Sequence, residues 1–124
     1  MILVDTSVWI DHFRAAEPQL VSLLNGNEVL THPCVIGEIA LGGLKQRAQI
    51  MRHLNNLPTA LIATHQEVMT FVDAHALVNT GVGYTDACLL ASVALTPGSA
   101  IWTRDENLKA QAARCGLAPA VSLT

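Results

Sequence analysis

The chain has 124 residues, 51% of them hydrophobic and 14% charged, with a formal net charge of -3. That length suits one domain spanning residues 1–124. The apolar balance excludes a disordered tail, a coiled coil and a low-complexity linker, because ordering entropy is offset only where enough apolar surface can be buried. The net negative charge gives no sign of a generic nucleic-acid binder, although acids concentrated in one pocket would not show in the total.

Ala87-Cys88-Leu89-Leu90-Ala91, the longest apolar stretch, is far shorter than the ~20 residues that cross a bilayer. No membrane partner is expected. The first residues lack the basic opening of a signal peptide, and Asp5 soon interrupts their apolar run. The three cysteines Cys34, Cys88 and Cys115 are widely spaced in apolar contexts. They read as buried thiols of a cytoplasmic protein rather than as a disulfide framework.

Ile2-Leu3-Val4 is a buried-type strand ended by Asp5. Thr6 and Ser7 offer capping hydroxyls to a helix through Val8, Trp9, Ile10 and Phe13. Leu20, Leu23 and Leu24 mark a second helix, and Val29-Leu30 a second strand. Pro33 opens a helix to Ala40, stopped at Gly42-Gly43. Lys45 to Leu57 is amphipathic. Ala60 to Ala63 reads as a third strand, Glu67 to Val78 as a helix, and Gly81-Val82-Gly83 as a break. An apolar helix then runs from Tyr84 to Leu95. Ala100 to Thr103 is a fourth strand, Glu106 to Arg114 a helix, and Ala120-Val121 a last edge strand. Strands alternating with helices predict an α/β class, with a central parallel sheet of four to five strands flanked by helices.

The chemistry lies in the placement of the acids. Glu17, Glu28, Glu67, Asp73 and Glu106 stand in polar or helix-surface settings that solvation explains. Asp5, Glu38, Asp86 and Asp105 stand in apolar surroundings, where a carboxylate is costly unless paired or bound to a cation. The chain has only seven Lys and Arg, and only Arg104 is near any of the four in sequence. Asp5 and Asp105 both end parallel strands, where such sheets bind ligands. Converging carboxylates suit Mg²⁺, with Mn²⁺ as a substitute. His and Cys show no zinc spacing. Each aspartate alone would also suit a helix cap, and Glu38 an exposed helix face; Thr6 and Ser7, read as caps, could also touch a metal-bound water.

Ile-Leu-Val-Asp-Thr-Ser-Val-Trp-Ile-Asp over residues 2–11 resembles the opening of a PIN-domain ribonuclease of the VapC toxin type. Val35-Ile36-Gly37-Glu38-Ile39, Tyr84-Thr85-Asp86-Ala87 and Trp102-Thr103-Arg104-Asp105 match the remaining acidic motifs in order, and the resemblance covers essentially the whole chain. It implies a three-layer PIN-like fold and a Mg²⁺-dependent endoribonuclease, the toxin of a type II toxin–antitoxin system. Asp5, Asp86 and Asp105 would hold the metal, and Glu38 would bind a second ion or orient the attacking water. Thr6, Thr103 and Arg104 would contact the substrate. The partners implied are RNA, a cognate antitoxin and a second copy of the chain, with a higher assembly once antitoxin is bound.

The five histidines, His12, His32, His53, His65 and His75, form no motif. Lys45, Arg47 and Arg52 read as a solvated face that an RNA backbone could also use, while Trp9, Phe13 and Trp102 read as core or interface. Three rivals remain: a receiver-like signalling domain, a haloacid-dehalogenase-like phosphatase, and a catalytically silent PIN fold that binds RNA or serves as a scaffold. The first needs adjacent acids after its first strand, where only Asp5 stands. The second needs Asp where Ser7 stands. Metal-dependent RNA cleavage separates all three from the enzyme.

Overall fold

Three short apolar runs become a parallel sheet. β1 (Ile2–Val4) is central, between β2 (Val29–Leu30) and β3 (Ala100–Trp102), in a computed structural model that describes residues 1–124. Leu3 pairs with Leu30 on one side and Ile101 on the other, and Val4 with Trp102. Helices flank the sheet: α1 (Thr6–Arg14), α2 (Pro18–Asn25), α3 (Pro33–Ala40), α4 (Arg47–Asn55), α5 (His65–Ala74), α6 (Tyr84–Leu95) and α7 (Glu106–Arg114). None is long and apolar enough to cross a membrane. The α/β class stands.

Leu3, Val4 and Ile101 of the sheet pack with Val8, Val35, Ile39, Leu89, Leu90 and Leu108 in one buried cluster. Truncating one such leucine to alanine typically costs about 2–5 kcal/mol. α6 is apolar on nearly every side and buries Ala87, Leu89, Leu90, Ala91, Ser92 and Val93, as a helix enclosed by its neighbours should. Gly81 holds φ +85, and a Cβ there would meet the Asn107 amide nitrogen at 2.5 Å. The positive φ favours glycine here, where the Asn107 side chain from the start of α7 fills the space beside the chain.

The sheet has three strands rather than the four to five expected. Ala60–Ala63 is not a strand: a single bridge, Thr31 to Thr59, is all the pairing there is beside β2. The amide of Leu61 donates instead to Thr96 Oγ1 at 2.9 Å, and that of Ala63 to Ser92 Oγ at 3.2 Å. Hydroxyls of α6 and its C-cap residue thus take donors that a ladder would have used. Ala120-Val121 forms no strand either.

Helix limits move for local reasons. Thr64 accepts from the Glu67 amide while Glu67 accepts from the Thr64 amide, a capping box that starts α5 at His65. Ala76, at φ 52, lies beyond its end, so Val78 is outside the helix. α4 begins only at Arg47, because Gln46 is left-handed at φ 56. Thr6 and Ser7 are not caps. Asp5 occupies the N-cap position of α1 without a capping hydrogen bond, and both hydroxyls serve other partners. The cysteines are free thiols but only half-buried.

Candidate active site

Asp5 leaves the carboxyl end of β1 and Asp105 follows the end of β3, so two adjacent parallel strands deliver two carboxylates to one edge of the sheet. Asp86, in the first turn of α6, and Glu38, in the last turns of α3, are added from the flanking helices. The four do not share one environment. Asp5 is buried, Asp86 half-buried, and Glu38 and Asp105 exposed.

Asp86 registers the other three. Its carboxyl is pushed up to about 6, first by burial and then by the negative charges of Asp5, Asp105 and Glu38. The N-terminal dipole of α6 would favour the anion by about 0.3–1 kcal/mol, and burial with repulsion outweighs it. No Lys or Arg forms an ion pair with any of the four, since Arg104 alone pairs with acids, and its partners are Asp11 and Glu17. No three of the chain's His, Cys, Asp and Glu groups close to metal-ligating distance. The four side chains offer oxygen donors only, the chemistry that fits a hard divalent cation.

Residues 2–113 match the family model described as PIN domain. The chain belongs to the PIN domain family. It is 51% identical over 118 residues to Ribonuclease VapC32 from two strains of Mycobacterium tuberculosis, CDC 1551 / Oshkosh and ATCC 25618 / H37Rv, covering 95% of this chain and 95% of each relative.

In this PIN domain Asp5 is held by two hydroxyls. Ser7 Oγ and Thr103 Oγ1 each donate to Asp5 Oδ2 at 2.8 Å. Thr103, expected to contact substrate, is buried and faces Asp5 instead; its oxygen also accepts the Asp105 amide at 3.1 Å. Thr6 Oγ1 donates to Glu38 Oε1 at 3.1 Å, so it steadies a carboxylate. Asp105 is both cap and site candidate: its Oδ1 accepts the Leu108 amide at 2.9 Å and opens α7.

Arg104 turns away. Its Nη1 donates to Asp11 at 2.7 Å and to Glu17 at 3.0 Å, its Nε donates to the Thr124 carbonyl, and its guanidinium stands 5.7 Å from the centre of the Trp102 ring. The hydrogen bond from Arg104 holds the Glu17 carboxyl below its ordinary range. Glu17, read from sequence as merely solvated, is thus one of two acids in an ion-pair triad with Arg104, and the reading of Arg104 as a substrate contact gives way to this one. Arg47 Nε donates to the Ala40 carbonyl, and Lys45 and Arg52 stay exposed.

Sequence reasoning took Ser7 for a cap that could also touch a metal-bound water, not for a partner of Asp5, and passed over Asp11. A hydroxyl two residues after an aspartate at a strand end was the available signal for the first, but it read as a cap. Nothing local marked the second. His32 also took on a role that no motif announced: it is buried, its Nδ1 accepts the Cys34 amide, and its Nε2 meets Ser92 Oγ at 3.1 Å. It thereby joins the start of α3, which carries Glu38, to α6, which carries Asp86. The largest concavity, about 940 Å³, opens between α1 and α4 and includes none of the four carboxylates in its lining.

Proposed function

We propose that this chain is a Mg²⁺-dependent endoribonuclease acting as the toxin of a toxin–antitoxin pair. One observation carries the reading: in a chain 51% identical to a ribonuclease over 95% of both lengths, Asp5, Glu38 and Asp105 lie near enough to Asp86 to raise its carboxyl, and no Lys or Arg pairs with any of the four. Asp5, Asp86 and Asp105 would hold Mg²⁺, or Mn²⁺ in its place, and Glu38 a second ion if one binds. When bound, such a cation neutralises charge on the scissile phosphate and lowers the pKa of an attached water.

The chain's own groups do the rest. Glu38, exposed and anchored by Thr6, orients the attacking water or takes its proton. Asp86 must release its proton before it can ligate, so metal affinity should weaken below about pH 6. In-line attack on phosphorus then hydrolyses the phosphodiester, leaving a 5′-phosphate and a 3′-hydroxyl.

The groove between α1 and α4, lined by Trp9, Phe13, Leu44, Ile50 and Leu57 among others, suits an apolar segment of the antitoxin. A basic side chain from that partner would stand in for the metal's charge at the acid cluster. Exposed Leu61, Ile62 and Leu95 leave apolar surface for a second copy of the chain. RNA as substrate places the action in the cytoplasm.

Sequencing RNA ends after pulsed expression of the wild type and Asp5→Ala tests the proposal. New ends should carry 5′-phosphates and vanish in the variant. The same ends in both samples would favour a silent PIN fold, as would purified protein that binds RNA without cutting it in Mg²⁺.

A further inference from the structure

Ser7 is not one of the four acids, yet its hydroxyl is bonded to both strand ends that carry the aspartates. Its oxygen accepts the Arg104 amide at 3.0 Å. Its single proton is therefore free for one acceptor, Asp5 Oδ2, at 2.8 Å. Thr103 has the same polarity. It accepts the Asp105 amide at 3.1 Å and donates its only proton to the same Oδ2 at 2.8 Å. Ser7 Oγ and Thr103 Oγ1 are 3.4 Å apart, but both protons are committed to Asp5, so no hydrogen bond joins them.

Two consequences follow. Oδ2 receives two donors, one from the first turn of α1 and one from the end of β3, while no donor of the chain bonds Oδ1. The terminal torsion of an aspartate is soft, and a single donor would let its two oxygens exchange. Two donors from different elements oppose that rotation and keep Oδ1 turned outward. The Arg104 amide bond also fixes the β3–α7 turn, and with it the position of Asp105 relative to Asp5.

We propose that Ser7 is a positioning residue, which presents Asp5 Oδ1 as the ligating oxygen and sets the Asp5–Asp105 spacing for a divalent cation. The inference rests on the metal-site reading above. Partners that orient a metal ligand typically contribute 10–100-fold to metal affinity. Ser7→Ala should therefore weaken Mg²⁺ binding about tenfold or more, read by calorimetric titration and by the Mg²⁺ dependence of the melting temperature. The Mg²⁺ concentration needed for half-maximal cleavage should rise by about the same factor as the Kd. Ser7→Thr, which keeps the hydroxyl, should restore the affinity.

A merely structural hydroxyl would lower the melting temperature in EDTA and leave the Mg²⁺ Kd untouched. That result overturns the proposal, as does a Ser7→Thr variant no better than Ser7→Ala. If Ser7→Ala does not fold, Ser7→Cys replaces it with a weak donor of similar size, under the same two criteria. Asp5→Asn is the control. If it loses Mg²⁺ while Ser7→Ala binds normally, the Ser7 assignment alone fails; if Asp5→Asn also binds Mg²⁺ as the wild type does, the metal-site reading fails and this inference with it.

Discussion

Arg104 stands between two groups of acids and serves only one. Its guanidinium turns to Asp11 and Glu17 and ties α1 to the segment that enters α2. Its backbone amide turns the other way, to Ser7, beside four carboxylates that receive no cation at all. The acids that brace the fold are neutralised, and Glu17 is held ionised by its partner. In the other group hydroxyls and a backbone amide orient the carboxylates without cancelling their charge, and Asp86 is driven up to about 6. Repulsion maintained at one edge of a sheet is the arrangement expected where an external cation supplies the missing charge.

The contrast breaks most visibly in activity. Asp5→Asn, Asp86→Asn and Asp105→Asn should each lower RNA cleavage by roughly 100-fold or more, because a metal's charge stabilisation is worth several kcal/mol. Asp11→Asn and Glu17→Gln should leave cleavage per folded molecule unchanged. Gel assays in Mg²⁺, with circular dichroism to confirm folding, check both halves. Two active variants among the first three would remove the distinction between the groups.

The next effect is on stability. A Mg²⁺ ion held by the proposed site would bind the folded chain and not the dispersed acids of the unfolded one, so it should stabilise by about 2.7 kcal/mol at a hundredfold excess over its Kd. Melts in EDTA and in rising Mg²⁺ measure this directly, and a wild-type melting temperature indifferent to Mg²⁺ would refute it. Arg104→Ala acts on the compensated group alone. It should lower the melting temperature by a few degrees in EDTA while preserving the Mg²⁺ increment, since Asp11 and Glu17 would face each other without their cation. Arg104→Lys should recover only part of the loss, as an ammonium replaces a planar guanidinium that holds two carboxylates and a carbonyl.

The two regions were unequally legible in the sequence. Acids stranded in apolar context were visible, because Asp5 after Ile-Leu-Val or Asp86 before Ala-Cys-Leu-Leu has no solvated setting. Asp105 seemed to demand a choice between cap and site; its Oδ1 takes the Leu108 amide as a cap, which leaves Oδ2 for the proposed site. The Arg104 triad was hidden, since its partners lie 93 and 87 residues away and nothing local distinguishes them from solvated acids. Ala60–Ala63 failed for a related reason. Its apolar run suits a strand, but whether its amides go to a ladder or to Ser92 and Thr96 is decided by where α6 packs. Local pattern carries the element type, and long-range hydroxyls decide the exceptions.

The smallest effect separates repulsion from capping most sharply. In metal-free protein the Asp86 carboxyl titrates at about 6 when folded, against its ordinary 3.8, so between those values the folded chain binds more protons than the unfolded one. Stability therefore falls as pH rises through that window, and the penalty is complete above it. His32 works in the opposite direction. Burial lowers its pKa from 6.5, so the folded chain binds fewer protons and stability is lost as pH falls below that value. Protonation at Nδ1 would also turn a proton toward the Cys34 amide, the donor that His32 caps at the start of α3. The two trends overlap in the wild type, and a single pH profile would blur them. The difference between Asp86→Asn and wild type cancels His32, which both proteins share. In EDTA that difference should be smallest near pH 4 and should grow in favour of the variant up to pH 6 and beyond. In millimolar Mg²⁺ at pH 7 its sign should reverse, because only the wild type gains a ligand. A variant less stable than wild type in EDTA at every pH would make Asp86 an acid that serves the α6 N-terminus, and the uncompensated group would lose its central member.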